Sequence, residues 1–342
     1  MFELSYSKTL VPEKNAKAKR TVSASDAETL IPEKTAKDDE QTEADLPVEI
    51  QPALTENEAV AVELPMNETE TLIKKEKIVK ISELKGGSNK SYIVHLKDDG
   101  DAIFKPAAGE RYLRKDIKQG TYFKRERAAY LIDKMLGFNL VPATEIRTVG
   151  SQIGSIQQFV PDAKSSYRIL SETLKLAYEG TAAEEAEETA PAEKMGQGLP
   201  LVNIVGADDY TRVRDNVLAE IKPEMQKMWL LDYIVWNTDR HDNNYLIKDG
   251  NVVAIDHGLC FAGSSPRFAS EHFEQPMSPE VLENFRKFTE SEENQKLLEG
   301  ALHGLLEETQ ISSCMARITK LADLLKNNQG QIPETLRGEL TY

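Results

Sequence analysis

The 342-residue chain carries 57 Asp and Glu against 42 Lys and Arg, a net charge of −15, which argues against nonspecific nucleic-acid binding and passive adhesion to an anionic bilayer. Two cysteines, Cys260 and Cys314, cannot build a disulfide framework, and a reducing, cytoplasmic-type environment fits them best. No stretch approaches the roughly 18 apolar residues of a membrane span, and the first twenty residues lack the apolar centre of a secretory signal, so a soluble protein without a transmembrane segment is expected, with delivery elsewhere by another signal left open.

Residues 1–77 are rich in Glu, Lys, Thr, Ala and Pro and poor in aromatics. Such a composition buries too little apolar area to offset chain entropy, so a disordered tail is expected there. The tail holds a degenerate two-copy repeat, "KTLVPEKNAK" at Lys8–Lys17 and "ETLIPEKTAK" at Glu28–Lys37. Two copies are too few and too polar for a solenoid; short docking motifs and a merely solubilising tail fit equally.

From Ile78 the pattern changes, and residues 78–165 are expected to form a small strand-rich lobe. "YIVHLK" and "DAIFKP" alternate like strands around the turn signal "DDGD". "YFKRERAAYLIDKMLG" spaces its apolar residues for a helix, with Gly137 placed to end it. "TEIRTV" and "GSIQQFV" complete the strands. Residues 166–328 are expected to form a helical lobe, interrupted by an Ala/Glu-rich surface insertion at 179–198 and followed by a tail over 329–342. Within that lobe "KPEMQKMWLLDYIVW" looks like a buried helix with Pro223 in its first turn. Leu297, Leu298, Ala301, Leu302, Leu305 and Leu306, then Ile318, Leu321 and Leu325, form apolar stripes.

The chemistry concentrates in "WNTDRHDNNYLIKDGNVVAIDHGLC", Trp236–Cys260. A hairpin over "YLIK-DG-NVVAI" brings its two ends together, so Asn244 and Asp256 are expected side by side, with Asp239 on the preceding loop. An Asn and an Asp to hold Mg²⁺ (or Mn²⁺ in its place), with another Asp to orient an incoming hydroxyl, is what phosphoryl transfer asks of a protein. A calcium loop starting at Asn237 fails, because Asp242 and Lys248 stand where Gly and Glu are needed. Zinc held by His241 and His257 lacks further ligands at the right spacing. Upstream lie the other parts that ATP requires: a glycine turn at Gly86, Gly87 and Ser88 whose amides can face phosphate, a strand lysine, Lys105, and a helix carboxylate, Glu126, to hold it.

In that order these features resemble the phosphatidylinositol 3-/4-kinase-like branch of the protein kinase superfamily, over about Leu84–Phe261. The likeness extends to type II phosphatidylinositol 4-kinases, their plant relatives and the actin-fragmin kinase group. "GGSNKSYIVHLKDDGDAIFKP", "KRERAAYLIDKMLGFNLVPAT", "GSIQQFV", "NTDRHDNN" and "AIDHGLC" carry it. The resemblance implies an α+β, bilobal, protein-kinase-like fold and an ATP- and Mg²⁺-dependent kinase. In it Lys105 would hold the phosphates, Glu126 would orient Lys105, Asp239 would be the catalytic carboxylate, and Asn244 and Asp256 would bind metal. Gln157, Gln158, Phe159 and Val160 would lie at or near the hinge that meets adenine. The glycine turn departs from a full G-x-G-x-x-G. The acceptor stays open between a protein Ser/Thr hydroxyl, taken first because the cysteine-rich stretch of type II lipid kinases is missing, and a phosphoinositide; a nucleotide-binding adaptor or a kinase fold with other chemistry is the third reading. Arg111, Arg114, Lys115, Lys118, Lys124, Arg125 and Arg127 form either a site for a phosphoinositide or soluble inositol phosphate, or a solvated edge balanced by acidic neighbours. Ser264, Ser265 and Ser270 follow the metal aspartate as autophosphorylation candidates or plain linker serines.

Overall fold

The computed structural model describes residues 62–85, 88–97, 100–177, 211–212, 215–216, 218–219, 221–264 and 276–332. Expectations for the repeat, for Gly86 and Gly87, for the insertion at 179–198, for Ser265 and Ser270, and for the chain beyond 332 lie outside those residues.

Regular structure is already present before the change of pattern at Ile78. Helix α1 (Glu68–Lys75) starts at Asn67, whose side chain accepts from the Glu70 amide while Glu70 accepts from the Asn67 amide. This reciprocal cap satisfies two donors that would otherwise be unpaired. Ile73 is buried, and so is Glu70 against Lys134. The expected tail is therefore corrected over 62–77: one apolar anchor and a distant ion pair order a segment whose own composition is polar.

Strands β1 (Ile78–Leu84), β2 (Ser91–Leu96), β3 (Gly100–Pro106), β4 (Thr144–Val149) and β5 (Gln152–Gln158) form one antiparallel sheet in the order β1-β2-β3-β5-β4. Along β3, Ala102, Phe104 and Pro106 are buried while Ile103 and Lys105 face the other way, as period-two alternation demands. Gly154 of β5 pairs with Pro106, and a Cβ there would collide with the Lys105 carbonyl. Helix α2 (Tyr122–Leu136) covers the sheet with Ala128, Leu131 and Ile132. It ends at Gly137, whose φ of +68° lets its amide reach the Asp133 and Lys134 carbonyls.

The second part is mainly helical, with a short sheet of β6 (Lys164–Ser165), β7 (Tyr245–Lys248) and β8 (Asn251–Ala254) beside α3 (Ser166–Ala177). Helix α4 (Lys222–Val235) is buried from Met225 to Val235. Helices α5 (Pro279–Thr289), α6 (Glu292–Leu302) and α7 (Glu308–Asn327) follow. The helix ends at Leu302, where Gly304 at φ +76° turns the chain, and Leu305 and Leu306 beyond the turn still pack against the core. Leu298 and Leu302 are buried, as are Ile318, Leu321 and Leu325 of α7. One apolar core runs through both parts, and the arrangement is the expected α+β one.

Candidate active site

The strand-rich part contributes one cation and one carboxylate. Lys105 Nζ donates to Glu126 Oε1 at 2.6 Å and to Asp256 Oδ1 at 3.1 Å. β3 aims Lys105 away from the core, and α2 brings Glu126 up from below. Glu126 is 3% exposed, whereas Asp256 keeps 49% of its side chain open to the cleft. Burial opposes the charge on Lys105, yet Asp256 and Glu126 outweigh it and hold its pKa above the ordinary value. Burial raises the Glu126 carboxyl, with Lys105 pulling the other way, while the Lys105 charge depresses Asp256. Glu126 also accepts the His257 amide at 3.0 Å, which ties α2 to the segment carrying Asp256.

The helical part supplies the rest from a loop and a hairpin. β7 and β8 pair Tyr245 with Ala254, and Asp249 and Gly250 both take positive φ at the turn, the geometry that an Asp-Gly hairpin favours. At the open end the Ile255 amide donates to the Asn244 carbonyl at 3.1 Å, so Asn244 and Asp256 come from neighbouring ends of one hairpin. Asn244 Nδ2 donates to the Asp239 carbonyl at 2.8 Å and lies 3.4 Å from Asp239 Oδ2. That orients the amide through its nitrogen, so its oxygen is the atom that could serve a metal. Burial pushes the Asp239 carboxyl above its ordinary pKa and the Asp256 charge adds to this, with His241 and Asn244 opposing. Asp256 itself sits at φ +62°, an unusual backbone state that tends to mark functional positions.

Among the described residues no group of three or more His, Cys, Asp or Glu could cage a metal. Asn244 and Asp256 are hard oxygen donors, and two such ligands suit an ion that completes its shell with phosphate oxygens and water, as Mg²⁺ does. Zinc is disfavoured further by His257, which is fully buried with Nε2 3.0 Å from Arg240 Nη2. Burial, then the Arg240 and Lys105 charges, hold its pKa well below the ordinary histidine value.

Sequence reasoning missed what holds this half together. Arg240, with 2% of its side chain exposed, forks onto fully buried Asp232 of α4 through Nε and Nη2, each at 2.8 Å. Its Nη1 donates to the carbonyls of Asn244 and, at 3.1 Å, Ile255. Asn237 also donates to Asp232, at 2.8 Å, and accepts the Asp239 amide at 3.0 Å. One guanidinium thus cross-links the helix before the loop, the loop itself and the hairpin. An arginine directly after a loop aspartate was visible in the sequence, but its partner eight residues earlier was not distinguishable from other helix carboxylates.

The remaining expected residues divide. Ser88 is exposed. Gln157 is buried with Nε2 on Thr144 Oγ1 at 2.8 Å, Gln158 and Phe159 are exposed, and Val160 is half-buried. The Phe159 amide donates to the Asp101 carbonyl at 2.9 Å, so it is already engaged, continuing the β3–β5 pairing. The seven cations do not form one patch. Arg125 is buried on the Cys260 carbonyl, Arg127 meets Glu145 and Glu70, and Lys124 donates to the Gly304 carbonyl at 2.8 Å. Arg111, Arg114, Lys115 and Lys118 stay on a rim segment beside exposed Tyr112 and Leu113. That rim is fixed: Asp116 accepts from the Ser264 amide at 3.0 Å and pairs with Arg114, and the Tyr122 hydroxyl donates to the Arg111 carbonyl at 3.1 Å.

The structure thus brings an ion-paired strand lysine and helix glutamate together with a loop aspartate, an asparagine and a hairpin aspartate. The profile of the phosphatidylinositol 3- and 4-kinase family matches residues 123–321, and the chain belongs to that family. It is 32% identical over 160 residues to Protein Rv2133c of Mycobacterium tuberculosis (strain ATCC 25618 / H37Rv), covering 46% of this chain and 53% of that one. It is 27% identical over 184 residues to Phosphatidylinositol 4-kinase gamma 5 of Arabidopsis thaliana, covering 51% and 25%. The chain thus spans about half or less of the length of these relatives. Among solved structures, the Golgi casein kinase with Mn/ADP bound superposes with a TM-score of 0.44 at 17% identity, covering 75% of this chain and 74% of that one.

Proposed function

We propose that this chain is an ATP- and Mg²⁺-dependent phosphotransferase that moves the terminal phosphate of ATP to a hydroxyl acceptor. The observation that carries the proposal is Lys105 held between Glu126 and Asp256, at 2.6 and 3.1 Å, across the junction of the two parts. Lys105 would bind phosphate oxygens, with Glu126 fixing its direction. Asn244 and Asp256 would hold Mg²⁺ (or Mn²⁺), which supplies charge neutralisation to the transferring phosphate. Asp239 would orient the acceptor hydroxyl and accept its proton, a role that its raised pKa supports.

A protein Ser/Thr hydroxyl is the acceptor we place first, because a net charge of −15 repels an anionic bilayer. The rim segment favours a second reading, a phosphoinositide acceptor at a lipid surface. Tyr112 and Leu113 are 62% and 42% exposed between Arg111 and Arg114, a combination that suits an apolar boundary under anionic headgroups. No helix among the described residues is long and apolar enough to cross a membrane. Transfer of terminal-labelled phosphate from Mg-ATP, offered protein extract and phosphoinositide vesicles in parallel, divides the two. Label in protein bands supports the first, and label in lipid alone replaces it with the second. No label in either, with Mg-ATP bound, would leave the adaptor reading.

A further inference from the structure

Glu126 reaches Lys105 only if α2 keeps its tilt and rotation, and the segment ahead of the sheet grips α2 on the flank that carries Arg127 and Lys134. The Val62 amide donates to the Gly300 carbonyl of α6 at 3.1 Å, and Val62 fills the space that a side chain at Gly300 would need. Leu64 is buried, and the Pro65 carbonyl accepts from Lys134 of α2 at 2.9 Å. Glu70 then takes Lys134 at 2.8 and 3.0 Å and Arg127 at 3.5 Å. Arg127 continues to Glu145 at 2.7 Å and to the Thr144 carbonyl, and Arg147 holds the Ile73 and Glu76 carbonyls at 3.0 and 2.7 Å.

Arg127 is the residue after Glu126, roughly 100° further round the helix. A carboxylate that pulls on Arg127 and, about two turns on, on Lys134 therefore fixes both the rotation and the tilt of α2. The Glu70 carboxylate is buried among these cations. A buried carboxylate removed from its partners leaves them uncompensated.

We infer that residues 62–76 form a strap, anchored at Val62 on the helical part and at Ile73 on the sheet, and that Glu70 is a positioning residue that sets the Lys105–Glu126 pair from outside the cleft. The strap joins the chain before residue 62 to the site, so whatever displaces it would weaken nucleotide binding. The inference rests on Lys105 and Glu126 being the nucleotide-holding pair.

The test is Mg-ATP affinity of the full chain in four forms: unmodified, Glu70→Gln, Glu126→Gln, and both. Glu70→Gln keeps an acceptor for the Asn67 amide and removes the charge. Glu126→Gln should weaken binding about tenfold, the worth of one charge-assisted hydrogen bond. Glu70→Gln should weaken it about fivefold, at the low end of coupling between sites, and should add nothing in the Glu126→Gln background. Additive losses, or an unaltered affinity in Glu70→Gln, would overturn the positioning role. Unaltered affinity in Glu126→Gln would overturn the nucleotide pair itself, and the strap inference with it. If Glu70→Gln does not fold, Lys134→Met takes its place in the same four-way comparison with the same expected pattern.

Discussion

The two halves of the site are held by opposite means. Asp239, Asn244 and Asp256 sit on a loop and hairpin locked from within by Arg240, whose partners Asp232, Asn244 and Ile255 come from three segments. Lys105 and Glu126 meet through one ion pair between a strand and a helix, and that helix is gripped from outside by Glu70. The first half is locked from within, while the second depends on a buried carboxylate that comes from a segment outside the cleft. Under the proposed function, a division of this kind would let the site keep its metal-binding geometry while its nucleotide grip is adjusted.

Substitutions that separate the halves should differ in kind. Asp256→Ala has the largest expected effect: it removes a Lys105 partner and, under the proposed function, a metal ligand, so transfer should vanish. Because Asp256 is half open to the cleft, the melting temperature should barely move, which a thermal scan beside the transfer assay checks. Arg240→Ala should instead act on stability, by about 3–5 kcal/mol, because Asp232 would be left buried and unpaired. Chemical denaturation showing a loss below 1 kcal/mol would mean that the loop is not held as described. Gly154→Ala probes the other half. It should cost about 1–3 kcal/mol by overpacking against β3, and it should weaken Mg-ATP binding because the strand it displaces carries Lys105.

A pH-dependent effect concerns Asp133 of α2, which accepts the Leu140 and Val141 amides and is buried. Burial pushes its pKa from 3.8 up to about 7, against those hydrogen bonds. A carboxyl whose pKa is raised by folding holds a proton in the native state that the unfolded chain releases, so its contribution is complete below pH 3.8 and is lost as pH rises through about 7. Melting temperature should therefore fall more steeply between pH 5 and 7.5 in the unmodified chain than in Asp133→Asn. Equal slopes would show that the group titrates normally.

Much of the site was legible because its signals are local. The Asp249-Gly250 turn specifies the hairpin, Gly137 marks the end of α2, and the alternation of β3 puts Lys105 on the face away from Phe104. What the sequence hid depends on distance. The residues of α1 read as tail because one buried Ile and a carboxylate paired 64 residues away leave no periodic trace. The basic run read as one patch because adjacency along a helix does not reveal direction, and Arg125 and Arg127 turn away from the rim. Gly304 was the visible signal that ends the helix at Leu302, and the apolar spacing, which continues into the core through Leu305 and Leu306, concealed it.

The central claim is that these five polar side chains form one phosphotransfer site, and Asp239→Ala tests it most directly. Transfer of labelled phosphate from Mg-ATP and Mg-ATP affinity would be measured on the same two proteins. A loss of about 10²–10⁴ in rate, the worth of a positioned proton acceptor, with affinity unchanged, is the predicted result. Full activity in Asp239→Ala would contradict the assignment.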